Sequence, residues 1–275
     1  MAKKVLLCPP TYFEVREVKN PYMRGLLSVD PVRAQNQWEA VCEAFRAAGF
    51  AVELIDPVPD LEDMVFAANP VFVGSHPQHG RFVVPGRMRY VSRRPEVAHY
   101  VEWFRGLGYK VVDLDLGEDF LEGHGDLIWD ADGSRIWAGY GFRSNRAGVE
   151  KFAAAMRGME IPVVPLQLVD EHFYHLDACF APLGAGAALI YPGAFSADAL
   201  QLIRERIARI YEVNRDDALQ FVCNGVAANG KFLTPAITHC VEEALAREGL
   251  EPVLLDTSEF LKSGGSVCCL KLFFD

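Results

Sequence analysis

The sequence lacks the features that would assign it to several common protein classes. No stretch approaches the apolar length needed to span a bilayer, and the first ten residues hold too short an apolar run for a secretory signal. There is neither a Gly-x-Gly-x-x-Gly fingerprint nor a phosphate-binding loop, so no motif indicates a nucleotide site. With 37 acidic against 27 basic residues the net charge is −10, which argues against a nucleic-acid or anionic-membrane partner.

Cysteine is present, but not in the patterns of a disulfide scaffold or a zinc site. The chain has seven cysteines in 275 residues and no Cys-x-x-Cys pair. The one close histidine pair, His172 and His175, has no suitably spaced partners, so we expect no structural metal. These features predict a cytoplasmic protein with reduced thiols.

One pattern recurs along the chain: an amphipathic helix, a glycine near its end and an apolar strand that usually closes with Asp. Copies cover 38–56, 97–115, 149–168 and 241–256, and a fifth helix opens the segment 196–211. Short strand candidates lie between them at 81–85, 135–138, 187–191 and 231–234. Five such units without a linker predict one α/β domain of repeated modules over residues 1–275. A doubly wound sheet is the alternative, whereas a cyclic array would gather loops from every module around one site.

The last residues of the chain hold the strongest candidate nucleophile. Gly264 and Gly265 predict a tight turn, and Cys268 and Cys269 follow just before an apolar end. One interpretation is a thiol presented at a strand terminus. The other is a pair of buried cysteines, because free cysteine is among the most buried residue types.

Three further segments place polar groups inside apolar runs. His175 and Asp177 alternate with apolar neighbours, so on a strand both would point to one face, as an acid/base pair could; a satisfied core histidine is the alternative. Glu122 and Asp126 flank a glycine-rich turn, which is either exposed or buries acids that need a cation. Asn69, before a proline, can be merely part of a turn.

The arginines complete a consistent set of chemical groups. Arg93 and Arg143 have the fork that binds a substrate carboxylate, although most arginines lie on the surface. Carboxylates are poor partners for the oxyanion of acyl transfer but good partners for a planar cation. A thiol, a histidine and several acids therefore indicate attack on a guanidinium carbon rather than proteolysis.

In these segments the chain resembles the guanidino-group-modifying enzymes: arginine deiminases, dimethylarginine dimethylaminohydrolases and amidinotransferases. The resemblance extends over essentially the whole length and is carried, in order, by residues 8–13, 20–23, 66–70, 122–126, 175–177 and 256–270. It implies a five-bladed α/β propeller, the pentein fold, with pseudo-fivefold modules and the site on the axis.

The resemblance also implies a set of site residues: catalytic Cys269, His175 and Glu122, and substrate-binding Asn69, Asp177, Arg93, Arg143 and Asp126. Glu122 and Asp177 would hold the guanidinium, and the two arginines the α-carboxylate. Cys269 is preferred because the nucleophile of this group directly precedes a short apolar strand. Cys268 is then a spectator or a regulatory thiol open to oxidation.

Three departures from the family pattern refine the expected substrate. Asn69 stands where deiminases usually carry Asp, which removes one charge from the cation site. The spacing from Glu122 to Asp126 is one residue longer than the commonest form, which weakens the role assigned to Asp126. His175 is followed by Leu-Asp rather than the Leu-Lys of some dimethylarginine hydrolases, which favours a deiminase-like substrate.

The sequence thus predicts a hydrolase that acts on the guanidino group of arginine or a derivative through a covalent cysteine intermediate. Because the Asn69 amide both donates and accepts hydrogen bonds, a ureido group could be attacked next. The alternatives are an amidinotransferase and a non-catalytic amino-acid-binding protein. We expect an arginine-like small molecule as partner, neither nucleic acid nor membrane, and no metal or organic cofactor; a homodimer is compatible with the sequence.

Overall fold

The computed structural model describes residues 4–25 and 27–275. Its strands are β1 Lys4–Leu7, β2 Ala51–Leu54, β3 Val71–His76, β4 Gly80–Pro85, β5 Lys110–Val111, β6 Leu127–Trp129, β7 Ile136–Tyr140, β8 Val163–Gln167, β9 Phe180–Gly184, β10 Ala187–Ile190, β11 Arg209–Glu212, β12 Val226–Ala228, β13 Lys231–Thr234, β14 Glu251–Leu254 and β15 Leu272–Phe274. The α-helices are α1 Pro31–Ala47, α2 Glu96–Gly106, α3 Gly123–Asp126, α4 Arg146–Arg157, α5 Ala197–Arg206, α6 Arg215–Ala218, α7 His239–Glu248, α8 Ser258–Leu261 and α9 Val267–Leu270. This is an α/β fold, and in the described ranges no helix is both long and apolar enough to cross a membrane.

The strands form five separate three-stranded sheets with one shared topology. Their orders are β15-β1-β2, β3-β4-β5, β6-β7-β8, β9-β10-β11 and β12-β13-β14. In every sheet the first strand runs antiparallel to the middle one, and the third runs parallel to it after a helical crossover. The predicted repetition of α/β modules is therefore confirmed.

The first sheet is built from both ends of the described chain. Strand β15 pairs with β1, with Lys4 opposite Phe274 and Leu6 opposite Leu272. The module that opens the chain is thus completed by its last residues. This pairing brings the cysteine pair at 268–269 back to the N-terminal module.

Local signals explain where the long helices begin and end. The Asp30 side chain accepts hydrogen bonds from the backbone N–H groups of Val32 and Arg33, and Pro31 occupies the first turn. Helix α1 therefore begins at Pro31, before the predicted start at residue 38. Gly249 ends α7 with a φ of 67°, a left-handed conformation that favours glycine.

A short helical turn precedes the first strand of every module. These turns are Glu62–Val65, α3, Leu176–Ala178, Val222–Asn224 and α9. The prediction that His175 and Asp177 lie on a strand is wrong, because His175 starts one of these turns and Asp177 lies within it. Cys269 lies in α9 rather than at a strand terminus, and β15 begins only at Leu272. Residues in these turns hold equivalent places in different modules.

Candidate active site

Two of these turns, Glu62–Val65 and α9, contribute Asp63 and Cys269 to the lining of one small cavity with a free volume of about 20 Å³, and His175, which starts a third turn, also lines it. Among the predicted site residues, those that line it are Cys269, His175, Asn69, Arg93 and Arg143. The other three, Glu122, Asp126 and Asp177, are fully buried beside it. The fold thus brings together residues separated by up to two hundred positions in the sequence.

Cys269 is a buried thiol held between two polar side chains. Its Sγ donates to Oδ2 of Asp177 at 3.2 Å and accepts from Nδ2 of Asn224 at 3.2 Å. Burial, followed by the neighbouring Asp177 carboxylate, raises the pKa of Cys269 well above its ordinary value. The buried thiol is therefore neutral, and a positive charge placed beside it would favour the thiolate.

Asp177 offers the cavity region an acceptor that has no partner. Its Oδ2 accepts a hydrogen bond from the Cys269 thiol, while its buried Oδ1 makes no hydrogen bond to any residue in the ranges 4–25 and 27–275. Burial raises the pKa of Asp177 to about 6, against the opposing effect of the thiol hydrogen bond. Because buried polar atoms are normally paired, an orphaned carboxylate oxygen beside a nucleophile indicates a place for a ligand donor.

His175 is oriented by a buried carboxylate. Its Nε2 lies 2.8 Å from Oε2 of Glu122, which also receives Nη1 of Arg143 at 3.0 Å. Burial alone would raise the pKa of Glu122, but Arg143 and His175 outweigh it and hold that pKa well below its usual range. The Glu122 carboxylate therefore accepts a hydrogen bond from the His175 ring and fixes its orientation.

The glycine-rich segment makes room for this imidazole. A Cβ on Gly125 would lie 2.5 Å from Nδ2 of Asn69 and 3.2 Å from the His175 ring. Any larger residue there would displace both side chains, so glycine is needed for close packing rather than for a turn alone. Asp126, the next residue, accepts from Oγ of Ser144 at 2.6 Å and from the backbone N–H of Leu176 at 3.1 Å. It therefore fixes the turn that carries His175 rather than lining the cavity.

The two arginines are tied into the walls. Arg93 makes two bonds of 2.9 Å to the Glu96 carboxylate and one of 3.0 Å to Oδ1 of Asn69. Arg143 lies between the rings of Tyr90 and Tyr174, with its guanidinium carbon 4.9 and 4.6 Å from their centroids. Most of the Arg93 donors are thus used within the wall, whereas Arg143 stands where the inner cavity meets a wider outer cleft.

Three residues at or beside the site were missed from the sequence. Asp63 lines the cavity with an Oδ1 that has no hydrogen-bond partner among the described residues, and Lys19 lines it from the loop between β1 and α1. Asn224 is fully buried and its amide contacts the sulfur of Cys269. The module repeat could have found Asn224, since it ends the turn before β12 as Cys269 precedes β15. Asp63 was visible as an acid before an apolar run, but nothing in the sequence marks Lys19.

Curated relatives match nearly all of this chain. It is 36% identical over 273 residues to the bifunctional arginine dihydrolase/ornithine cyclodeaminase ArgZ of Synechocystis sp., covering 98% of this chain and 37% of that protein. It is 35% identical over 270 residues to the N(G),N(G)-dimethylarginine dimethylaminohydrolase of Mycobacterium tuberculosis, covering 98% of this chain and 85% of that protein. The chain thus spans little more than a third of the length of the bifunctional relatives.

Solved structures and a family model agree with these matches. The substrate-bound N-terminal domain of ArgZ, an arginine dihydrolase from Cyanobacteria, aligns with a TM-score of 0.91 and 34% identity over 98% of this chain and 97% of that chain. A dimethylarginine dimethylaminohydrolase adduct with S-methyl-L-thiocitrulline covers 100% of both chains with a TM-score of 0.81 and 21% identity, which bears on the fold alone. Since the family model described as N,N dimethylarginine dimethylhydrolase, eukaryotic, matches residues 9–272, the chain belongs to that family.

Proposed function

We propose that this protein hydrolyses the guanidino group of arginine or an arginine-like amino acid through a covalent intermediate on Cys269. The observation that carries the proposal is the convergence of a thiol, an imidazole and an acid with a free oxygen on one cavity: Cys269, His175 and Asp63. The relatives named arginine dihydrolase and dimethylarginine dimethylaminohydrolase support the same reaction class.

The substrate itself activates the nucleophile. Burial and Asp177 keep the Cys269 pKa high, so the thiol is neutral. A guanidinium that enters beside Asp177 favours the charged form of both groups, which lowers both pKa values. The proton of the Cys269 thiol then passes to the imidazole of His175, and the thiolate forms next to the carbon that it attacks.

The covalent step forms one S–C bond and breaks one C–N bond. Sγ of Cys269 adds to the guanidinium carbon, and His175 gives a proton to the departing amine, which leaves a thiouronium on the enzyme. His175 then takes a proton from water, whose oxygen attacks the same carbon. The S–C bond breaks, the thiol regains its proton, and a ureido product leaves; one water is consumed and one amine released. Glu122 holds the imidazole in place throughout and stabilises its protonated form.

We further propose that arginine, rather than a methylated arginine, is the preferred substrate, and that its ureido product can be hydrolysed in turn. Nδ2 of Asn69 is buried and has no partner, while its Oδ1 is bound to Arg93. This amide N–H can donate to a ureido oxygen, which a carboxylate at the same place would repel. In this role Asn69 adapts the site to a neutral group as well as to a cation.

We also propose that residues 1–275 are a single catalytic domain in which the five sheets surround one axis as a five-bladed α/β propeller. Three features support this arrangement: the shared topology, the β15–β1 pairing, and the cavity that Asp63, His175 and Cys269 line from three different modules. A cytoplasmic location and a homodimer remain predictions from the sequence.

The test is turnover by purified protein with matched cysteine variants. We expect the wild type to release ammonia from arginine, Cys269→Ser to release none, and Cys268→Ser to match the wild type. Mass spectrometry of acid-quenched wild type should show an adduct on the peptide that contains Cys269. If Cys269→Ser retains full turnover, or if the wild type turns over neither arginine nor a methylated arginine, the proposal is wrong.

The second hydrolysis has its own test. Citrulline supplied alone should yield ammonia and ornithine, detected by liquid chromatography and mass spectrometry. Arginine turnover that stops at citrulline would refute the role given to Asn69 and leave the first reaction intact.

A further inference from the structure

Lys19 places a positively charged ammonium group in the cavity that we propose binds a cationic substrate. Its Nζ lies 2.9 Å from Oε1 of Glu62 and 2.9 Å from Oδ2 of Asp63, and its side chain is 1% exposed. Burial alone would lower the pKa of Lys19, but the Asp63 and Glu62 carboxylates outweigh it and hold the pKa above its ordinary value. The side chain therefore stays charged inside the cavity.

Two hydrogen bonds hold the loop that carries Lys19 in place. The Lys19 carbonyl accepts from Nη2 of Arg143 at 3.2 Å, and Nδ2 of Asn20 donates to the Ser263 carbonyl at 2.9 Å. The loop joins β1 to α1, the same place in its module as the loops that carry Arg93, between β4 and α2, and Arg143, between β7 and α4. The ammonium of Lys19 is thus held as a permanent part of the wall.

The consequence is a change in the charge that Asp63 presents. The ammonium of Lys19 lies 2.9 Å from Oδ2 of Asp63, and Nε of Arg93, which is bound to Glu96, lies 3.7 Å away. Within the described residues, Oδ1 of Asp63 has no hydrogen-bond partner. Asp63 can still accept a hydrogen bond at Oδ1, but the Lys19 ammonium, which Glu62 also contacts, offsets its negative charge. Asn69 adds no charge on the same wall. A neutral ureido group can use the free acceptor fully, while a guanidinium meets repulsion from Lys19.

We propose that Lys19 is a specificity-determining residue: by neutralising Asp63 it weakens the binding of guanidino compounds relative to ureido compounds at this site. The inference rests on the proposed function, since it names the property that sets the balance between the two successive substrates. It assigns to Glu62 the role of holding Lys19 in place.

The experiment measures binding without turnover, by isothermal titration calorimetry on the full chain with Cys269→Ser. Arginine and citrulline are the probes, because they share the α-amino and α-carboxylate groups and differ in the charge of the reacting group. Lys19→Met keeps the length of the side chain and removes its charge. Glu62→Gln is a control that keeps the Lys19 ammonium. The double variant Lys19→Met/Glu62→Gln removes the ammonium without leaving the buried Glu62 carboxylate unpaired, and it keeps Asp63 unchanged.

We expect Lys19→Met to bind arginine about tenfold more tightly relative to citrulline than Cys269→Ser alone. The double variant should shift the ratio in the same direction by less, because it also loses the negative charge of Glu62, and Glu62→Gln should show no shift in favour of arginine. An unchanged arginine-to-citrulline ratio in both Lys19 variants overturns the inference. Equal weakening of both ligands also overturns it, because Lys19 would then hold their common carboxylate. If Cys269→Ser binds neither ligand and the wild type turns over neither, the proposed function fails, and this outcome differs from every result above.

Discussion

Asp177 provides the sharpest quantitative test of the site, because its buried carboxylate should lower the free energy of unfolding of the protein. Burial raises the pKa of Asp177 from its ordinary value of 3.8 to about 6, and its Oδ1 has no hydrogen-bond partner. A group whose pKa is raised by folding stabilises the folded state at low pH and loses that contribution as pH rises through the folded pKa. At about 1.4 kcal/mol for each pKa unit, ionisation of Asp177 costs the folded protein about 3 kcal/mol at pH 8 and about half of that at pH 5.

The perturbation is Asp177→Asn, which keeps the shape of the side chain and removes its charge. The free energy of unfolding of the variant, relative to the wild type, should rise by about 1–2 kcal/mol between pH 5 and pH 8. Any constant difference between an amide and a protonated acid cancels in this comparison. Urea denaturation can be followed by the fluorescence of the four tryptophans. The same variant should lose turnover, since the acceptor beside the thiol no longer carries a charge.

Asp60→Asn is the matched control. The Asp60 side chain is 89% exposed, and its backbone φ of 63° is one that Asn also tolerates. Its difference from the wild type should stay constant from pH 5 to pH 8. If Asp177→Asn behaves in the same way as this control, the carboxylate is not held at a raised pKa, and activation of the thiol by a bound cation loses its basis.

Three further substitutions test the walls of the site. Glu122→Gln should lower the free energy of unfolding by about 3–5 kcal/mol in urea melts, because Arg143 remains buried without its charged partner; a loss below about 1 kcal/mol would contradict this. Gly264→Ala should lower it by about 1–3 kcal/mol, since φ is +71° and the new Cβ would lie 2.7 Å from a tyrosine oxygen; unchanged stability would show that the loop adapts freely. Asn224→Ala should lower kcat and leave KM nearly unchanged in steady-state assays, because the amide positions the Cys269 sulfur rather than the substrate. A change in KM alone would refute this.

The repeated modules were readable from the sequence because their signals are local. Helix α4 is capped by the Asn145 side chain and α5 by the Ser196 hydroxyl, and α4 precedes the largely apolar strand β8. The short turns before the first strands were not readable. His175 and Asp177 alternate with apolar residues as a strand would, yet their turn is set by contacts such as the backbone N–H of Leu176 donating to Asp126.

The chemical types at the site were also recognisable, but their partners were not. The Glu122 carboxylate accepts from His175, 53 residues away, and from Arg143, which is more consistent with orienting the imidazole than with binding a guanidinium directly. We therefore propose Asp63 and Asp177 as the acids that face the substrate. The predicted contact between arginines and a substrate α-carboxylate remains a prediction, and the position of Arg143 at the cavity mouth suits it better than that of Arg93.

By itself, the sequence determined the repeating α/β modules, the set of reactive groups and their order along the chain, because propensities, caps and motifs act over a few residues. Only the tertiary structure decided which groups meet. Cys269 contacts Asp177, which is 92 residues away in the sequence, and Lys19 contacts Glu62, which is 43 residues away. Contacts of this range, and the burial that shifts the pKa values of the groups involved, arise only when separate modules pack together, so no local pattern in the chain can encode them.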